Sequence, residues 1–425
     1  MNTTTIDIGF TDLVIPLANT VDMMSPALAD HHLDVGYFAL RIGEEMGFSQ
    51  EEVVTLAVAG MLHDIGAFSL NERLDILEFE YHKPTQHCRA GYELLRHFEP
   101  FSQAAEIIRF HHLPWNNGEG NEHNGTPVPL GSHVIHLADR ISVLVPKNIH
   151  ALSKVPEICE AVEKRRGTWF HPELVDAVLA FANQDSIWMD VVSRSVERPL
   201  VACLKKSHRV ATLDELLEFG KLVCRLIDFR SPFTATHTTG LATVAVALAE
   251  RLEFDEEHQK LLKLAAYLHD LGKLAVPLEI LEKPGRFTDD EWHVMRSHVY
   301  YTYHALAPIP ELDVLTSWSA LHQERLDGSG YPFAYTAERI PLEARVLAVA
   351  DVFVGITEDR PYRKGMAEEE ARNLLADMAA KRQIDPDVVR VVFDDFNTLN
   401  TIRAEGQEQA REAFQTFKQG LAAQV

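Results

Sequence analysis

The chain has 425 residues, 63 of them acidic and 40 basic, giving a formal net charge of −23. Its length suggests two or three domains, and 46% hydrophobic with 24% charged residues is the composition of a globular protein with substantial cores. The acidic balance argues against duplex DNA or an anionic membrane as partner, because a polyanion footprint needs a basic patch. A small anionic substrate remains compatible if positive charge is concentrated locally, for instance by bound metal.

The start of the chain, Met1 to Phe10, has no basic region and no long apolar run, so no signal peptide is expected. No uninterrupted apolar stretch of about 18 residues occurs, which argues against a membrane span. The four cysteines, Cys88, Cys159, Cys203 and Cys224, form no CxxC pair, so neither a zinc ribbon nor a thioredoxin-type site is indicated. A cytoplasmic protein with reduced thiols is the expectation.

Read in chain order, the sequence repeats itself. Asp22, His31, Phe48 and Leu62-His63-Asp64-Ile65-Gly66 recur 206 positions later as Asp228, His237, Phe254 and Leu268-His269-Asp270-Leu271-Gly272. His87 and His111 recur as His298 and His322, 211 apart, and Asp139 as Asp351, 212 apart. Phe170-His171-Pro172 is echoed 214 positions on by Ile384-Asp385-Pro386, a drift that loop insertions would produce. Two copies of one domain are expected, about 1–200 and 205–400, followed by a tail helix at 401–425. The mixed segment from Asp185 to His208 is the candidate connection between them.

The expected fold class is all-α, with two tandem helical domains. Leu241, Val244, Ala245, Leu248 and Leu252 follow amphipathic helix spacing. Leu261, Leu264, Ala265 and Leu268 stripe the next helix, which should end near His269-Asp270, and Leu347, Ala350, Asp351 and Val354 share a face of a third. Asp214 and Thr288 are the expected N-caps of two further helices. The run Asp327-Gly328-Ser329-Gly330-Tyr331-Pro332 must be a turn, since two glycines and a proline break helices.

Each copy carries His, then His-Asp, then His, His and Asp. A lone histidine on an apolar face is more often a core residue than a ligand, and 21 histidines make coincidence easy. Chemical type decides otherwise. Every matched polar residue here is of ligand type, Asp351 would be a costly buried carboxylate without a cation, and adjacent His-Asp lets one carboxylate bridge two metals. Imidazole and carboxylate suit Mn, Fe, Zn, Co or Ni, and soft thiolates are absent from the set.

His269-Asp270 with its flanking histidines resembles the HD metal-dependent phosphohydrolase superfamily. His322-Gln323-Glu324-Arg325-Leu326-Asp327-Gly328-Ser329-Gly330-Tyr331-Pro332 is similar to the signature of its HD-GYP branch. Lys283-Pro284-Gly285, Ala348-Val349-Ala350-Asp351-Val352-Phe353 and Arg360-Pro361-Tyr362-Arg363 add to the likeness, which spans roughly 228–395. The resemblance implies an all-α metal-dependent phosphodiesterase that opens a cyclic dinucleotide, chiefly cyclic di-GMP, to the linear dinucleotide. Alternatives are a 3′,3′-cyclic GMP-AMP phosphodiesterase and a weakly catalytic receptor for such a ligand.

Carried over to this chain, the resemblance implies metal ligands His237, His269, Asp270, His298, His322 and Asp351, with Asp270 bridging. Asp270 and Lys273 would act in catalysis, and Lys273, Asp327, Gly330, Tyr331, Arg360 and Arg363 would contact substrate. Two divalent transition metals per site are expected, Fe or Mn foremost, with Ni, Co or Zn as alternatives. Gln323 and Phe233 stand where some members carry ligands for a third metal. Two metals about 3.5–4 Å apart acidify water and clamp a phosphate, and guanidinium groups suit phosphate oxygens.

The first copy offers His31, His63, Asp64, His87, His111 and Asp139 as ligands. Ala67 stands at the place of Lys273 and Asn148 at that of Arg360, and no GYP follows. This copy could be a sensor, a regulator, a dimerisation module or a hydrolase of another phosphate ester. Among partners the expectation is a cyclic dinucleotide, no nucleic-acid polymer and no membrane, with homodimerisation and signalling-protein contacts left open.

Overall fold

The structure, a computed structural model, describes residues 5–79, 86–148, 151–207, 209–231, 236–283, 285–359 and 363–422. Arg360 and Phe233 lie outside them. The chain forms two compact units, Gly9–Arg209 and Val210–Ala422, and the second takes in the strand Thr5–Ile6, which pairs antiparallel with Ala211–Thr212. Apart from this pair and the hairpin Glu122–His123/Thr126–Pro127, the regular elements described are helical. No described helix is long and apolar enough to cross a membrane.

In the N-terminal unit the helix His31–Glu45 packs against Gln50–Leu62 and Leu130–Leu144. Ser49 caps Gln50–Leu62 by accepting from the Glu52 N–H, while Glu52 closes the box on the Ser49 N–H at 2.8 Å. The segment expected as a connection instead folds as helices Asp185–Val192 and Glu197–Leu204. These bury Ile187, Trp188, Val191, Leu200 and Cys203 in this unit. Burial of one such large apolar side chain contributes roughly 1.5–3 kcal/mol, enough to hold a short helix of mixed composition.

In the C-terminal unit the helix His237–Arg251 is central. It contacts Glu256–Leu268, Leu342–Thr357 and the long helix Phe396–Ala422. Leu241, Val244, Ala245 and Leu248 are all buried, as their spacing predicts. Phe414 and Phe417 pack on Phe229, with ring centroids 5.2 and 5.1 Å away, so the last helix completes this unit's core. Thr288 caps Asp289–Leu306 in a capping box with Glu291. The cap of Leu213–Asp228 is Thr212 rather than Asp214, because Thr212 has the extended backbone that lets its side chain accept from the Glu215 N–H.

Candidate metal centres

Each copy's ligand-type residues come from five elements that end or pass at one point. In the C-terminal unit His237 opens its helix, and His269 and Asp270 follow Leu268, the last residue of theirs. His298 lies within Asp289–Leu306, His322 follows Asp313–Ala320, and Asp351 is mid-way along Leu342–Thr357. His237, His269, Asp270, His298 and His322 are all at most 6% exposed, so their polar atoms need partners inside the protein.

The imidazoles share one arrangement. Nδ1 of His269, His298 and His322 faces the carbonyl oxygen three residues earlier, that of Ala266 at 2.7 Å, Met295 at 2.5 Å and Ser319 at 2.6 Å. A carbonyl only accepts, so Nδ1 carries the proton and Nε2 keeps its lone pair. That lone pair faces the centre in every case. His269 Nε2 lies 3.0 Å from Asp270 Oδ2, His298 Nε2 lies 3.3 Å from Asp270 Oδ1, and His322 Nε2 has no hydrogen-bond partner among the described residues. His237 Nε2 lies 3.1 Å from Asp351 Oδ1.

Electrostatics agree with a cation-binding role. Burial, reinforced by His269, pushes the His322 pKa down to about 3, which keeps the ring neutral, as a metal ligand must be. Burial works to raise the Asp270 pKa, but His269 and Lys273 beside it outweigh that and hold the carboxyl well below the usual carboxylate range. Lys273 Nζ donates to Asp270 Oδ2 at 2.5 Å. Two sets of ligand atoms, His237/His269/Asp351 and His269/Asp270/His322, each fall within 4.8 Å of one another.

The N-terminal unit repeats the pattern. His63 Nδ1 faces Gly60 O at 2.8 Å and His111 Nδ1 faces Ile108 O at 2.7 Å. Asp64 gathers His63, His87 and His111, whose Nε2 atoms lie 3.2, 3.3 and 3.5 Å from its oxygens, and His31 Nε2 is 3.6 Å from Asp139 Oδ1. Buried Asp64 Oδ1, Asp139 Oδ1 and the Nε2 atoms of His31 and His63 lack hydrogen-bond partners among the described residues. Orphaned lone pairs converging on one point are what a divalent cation would satisfy. The donor sets of both units therefore fit metal.

Family models described as HD domain match residues 28–144 and 221–388, one in each unit. The chain belongs to the HD family. Over 393 residues it is 28% identical to 3′3′-cGAMP-specific phosphodiesterase 1 of Vibrio cholerae, covering 88% of this chain and 89% of that protein. It is 40% identical over 207 residues to a cyclic di-GMP phosphodiesterase of Pseudomonas aeruginosa, 47% of this chain and 50% of that one. A crystal structure of a cyclic GMP-AMP-specific phosphodiesterase from Vibrio cholerae has the same fold, with TM-score 0.64 and 21% identity over 93% of this chain and 98% of that chain.

The residues expected at the substrate separate into two groups in the second HD domain. Lys273 sits on Asp270, and Tyr331 donates from its hydroxyl to Gln323 Oε1 at 3.2 Å, while Gln323 Nε2 donates to Asp351 Oδ2 at 2.8 Å. Asp327 instead accepts from the Ser329 N–H at 2.9 Å and hydroxyl at 2.7 Å, fastening its own turn. Gly330 admits the chain there, since a Cβ would stand 2.3 Å from Arg325 N and 2.5 Å from Glu324 Cα. Arg363 is exposed and donates to the Gly355 carbonyl.

Sequence reasoning passed over Glu358. It is 4% exposed, and both its oxygens lie 3.2 Å from His237 Nδ1. Gln407, on the last helix, donates to Glu358 Oε2 at 2.9 Å and itself accepts from Arg403. Burial opposes a charge on His237, but Glu358 and Asp351 on its two nitrogens raise its pKa to about 10. A carboxylate behind a ligating imidazole orients the ring and increases its basicity. Glu358→Ala is expected to weaken metal binding in this domain about 10–100-fold, and Glu358→Gln, which keeps an acceptor for Nδ1–H, by less. Titration with Mn(II) checks this, and equal affinities in all three proteins would rule the role out.

The first HD domain differs in its cations. Arg140, where the second has Val352, is 1% exposed and donates to Asp139 Oδ2 from Nε at 3.2 Å and Nη2 at 2.6 Å. Arg73, 3% exposed, lies in the field of Asp64, Asp22 and Glu72. Ala67, at the place of Lys273, is fully buried. Sequence reasoning left Cys88 out of the ligand-type set, and the structure places it among His87, His111 and His112.

Proposed function

We propose that the second HD domain opens a guanine-containing cyclic dinucleotide to its linear form, making the chain a metal-dependent phosphodiesterase. The observation that carries this is the convergence of four imidazole Nε2 atoms and two carboxylates on a point that also holds the Lys273 ammonium. Divalent ions held there would supply Lewis-acid polarisation of the phosphoryl group and acidify water. Lys273 is close enough to meet a phosphoryl oxygen while remaining anchored on Asp270. Tyr331, its ring part-buried, borders the same point through Gln323. Trp292 meets that ring edge-on at 6.2 Å, and the Arg296 guanidinium lies over it at 4.5 Å.

Two metals are the number this reading assigns, Fe or Mn by preference. Gln323, at a position that could supply a further ligand, uses its amide on Asp351 and its carbonyl on Tyr331. A linear dinucleotide is accordingly the expected product. Between substrates, cyclic GMP-AMP has support from the relative that matches along nearly the whole tandem chain, and cyclic di-GMP from the relative that matches more strongly over half of it.

The test is turnover of a panel, cyclic di-GMP, 3′,3′-cyclic GMP-AMP and cyclic di-AMP, by full-length protein loaded anaerobically with Mn(II) or Fe(II). Linear product from one or both guanine-containing rings is expected. If none of the three is opened with either metal, the reading is wrong.

A further inference from the structure

We propose that Cys88 makes the first HD domain's centre a thiolate-bearing site for a borderline-soft divalent cation of the zinc or iron(II) class, chemically distinct from the all-nitrogen-and-oxygen centre of the second domain. Cys88 sits on the helix Gln86–Leu95 next to His87 and is fully buried. Its Sγ lies 3.5 Å from His87 Nε2 and 3.9 Å from His111 Nε2. Asp64 Oδ1 lies 3.3 and 3.5 Å from the same two nitrogens.

These four separations have a common geometric meaning. Ligands about 2.0–2.3 Å from one tetrahedral cation stand about 3.3–3.6 Å from each other. Three of the observed edges fall in that interval and the fourth exceeds it by a few tenths of an ångström, so the contacts that run from Cys88 through His87 and His111 to Asp64 have the lengths of ligand pairs around an ion, and His87, Cys88, His111 and His112 offer atoms that all lie within 4.8 Å of one another. Packing alone does not place a thiol at that vertex. In the second domain the corresponding position is Val299, also fully buried, next to His298. An aliphatic side chain thus serves the same packing place, and the difference between the copies is chemical. Adding one thiolate to imidazole and carboxylate shifts preference from hard ions toward Zn(II), Co(II) and Fe(II).

Cobalt(II) titration of the full-length metal-free protein under anaerobic conditions tests this, because a thiolate ligand adds a near-ultraviolet sulfur-to-cobalt charge-transfer band that nitrogen and oxygen ligands do not give. The wild-type protein is expected to show the band, and excess Zn(II) to erase it. Cys88→Ser and Cys88→Val, the second copying the other domain, should both abolish it. The Asp270→Asn variant, altered only at the second centre, should retain it. A wild-type protein that binds cobalt without the band overturns the proposal whatever the variants do. So does a band that persists in a folded Cys88 variant, which would place the thiolate elsewhere.

Discussion

Asp270→Asn is expected to abolish cyclic-dinucleotide hydrolysis, with a fall on the order of 10³-fold or more, the scale seen when one pre-organised electrostatic group is removed from an active site. The reason is the number of groups this carboxylate serves. Its Oδ2 faces His269 Nε2 at 3.0 Å and accepts from Lys273 at 2.5 Å, while Oδ1 faces His298 Nε2 at 3.3 Å. An amide of the same shape cannot serve all of these, because its NH₂ end offers donors where lone pairs are needed. It also withdraws the negative charge that would hold two cations side by side. Folding should survive. The substitution is isosteric, and the Lys273 side chain keeps 17% of its surface exposed, so its ammonium retains contact with water. The measurement pairs product formation with metal stoichiometry by elemental analysis, and circular dichroism confirms the fold. Wild-type turnover in a variant that has lost metal would remove Asp270 from the mechanism. The same variant separates an enzyme from a receptor, because a protein that signals only by binding would keep its downstream effect without turnover.

The ligand-type residues that converge in each unit were legible in sequence because they recur in the same order in both copies. A metal centre needs imidazole and carboxylate in a fixed order along the chain, so two copies remain superimposable even as the loops between them change length. The helices were legible where one face is apolar throughout, as in Leu241 to Leu252. What escaped was set by tertiary contact. Glu358 follows the end of Leu342–Thr357 and reads as an ordinary exposed acid there, yet it meets His237 across 121 residues of sequence. Gln407 reaches it from a helix whose role had looked merely terminal. Cys88 was considered only for its spacing to other cysteines, whereas its neighbours in space are histidines. Arg140 and Val352 occupy equivalent places, but only the structure shows the guanidinium turned onto the Asp139 carboxylate. The segment Asp185–Val192 carries its buried Ile187 and Trp188 among charges, a pattern that sequence periodicity cannot resolve over two turns.

Gly272→Ala should be as damaging as loss of a ligand, and by a different route. Gly272 follows the His-Asp pair and Leu271, where the chain passes against the helix Asp289–Leu306. A Cβ there would stand 1.9 Å from the carbonyl oxygen of His298 and 2.7 Å from the amide nitrogen of Thr302. Both are backbone atoms, so no rotamer change relieves the clash. The contact is also held from the other side. The Gly272 N–H donates to Thr302 Oγ1 at 2.9 Å, and that hydroxyl donates to the His269 carbonyl at 3.0 Å. One methyl group must therefore push apart the elements that carry His269, Asp270 and His298. The expected cost is about 3 kcal/mol, the upper part of the range for overpacking, which for a unit of this size lowers the melting temperature by on the order of 10 °C. Metal affinity and turnover should fall with it, since His298 is the residue displaced. Gly66→Ala is the matched comparison, because its Cβ would meet His87 O at 2.2 Å and Gly91 N at 2.4 Å in the first HD domain. It should destabilise that domain to a similar extent while sparing cyclic-dinucleotide turnover. Calorimetry resolves the two effects, and unchanged melting in Gly272→Ala would show that the helix can retreat without taking the ligands with it.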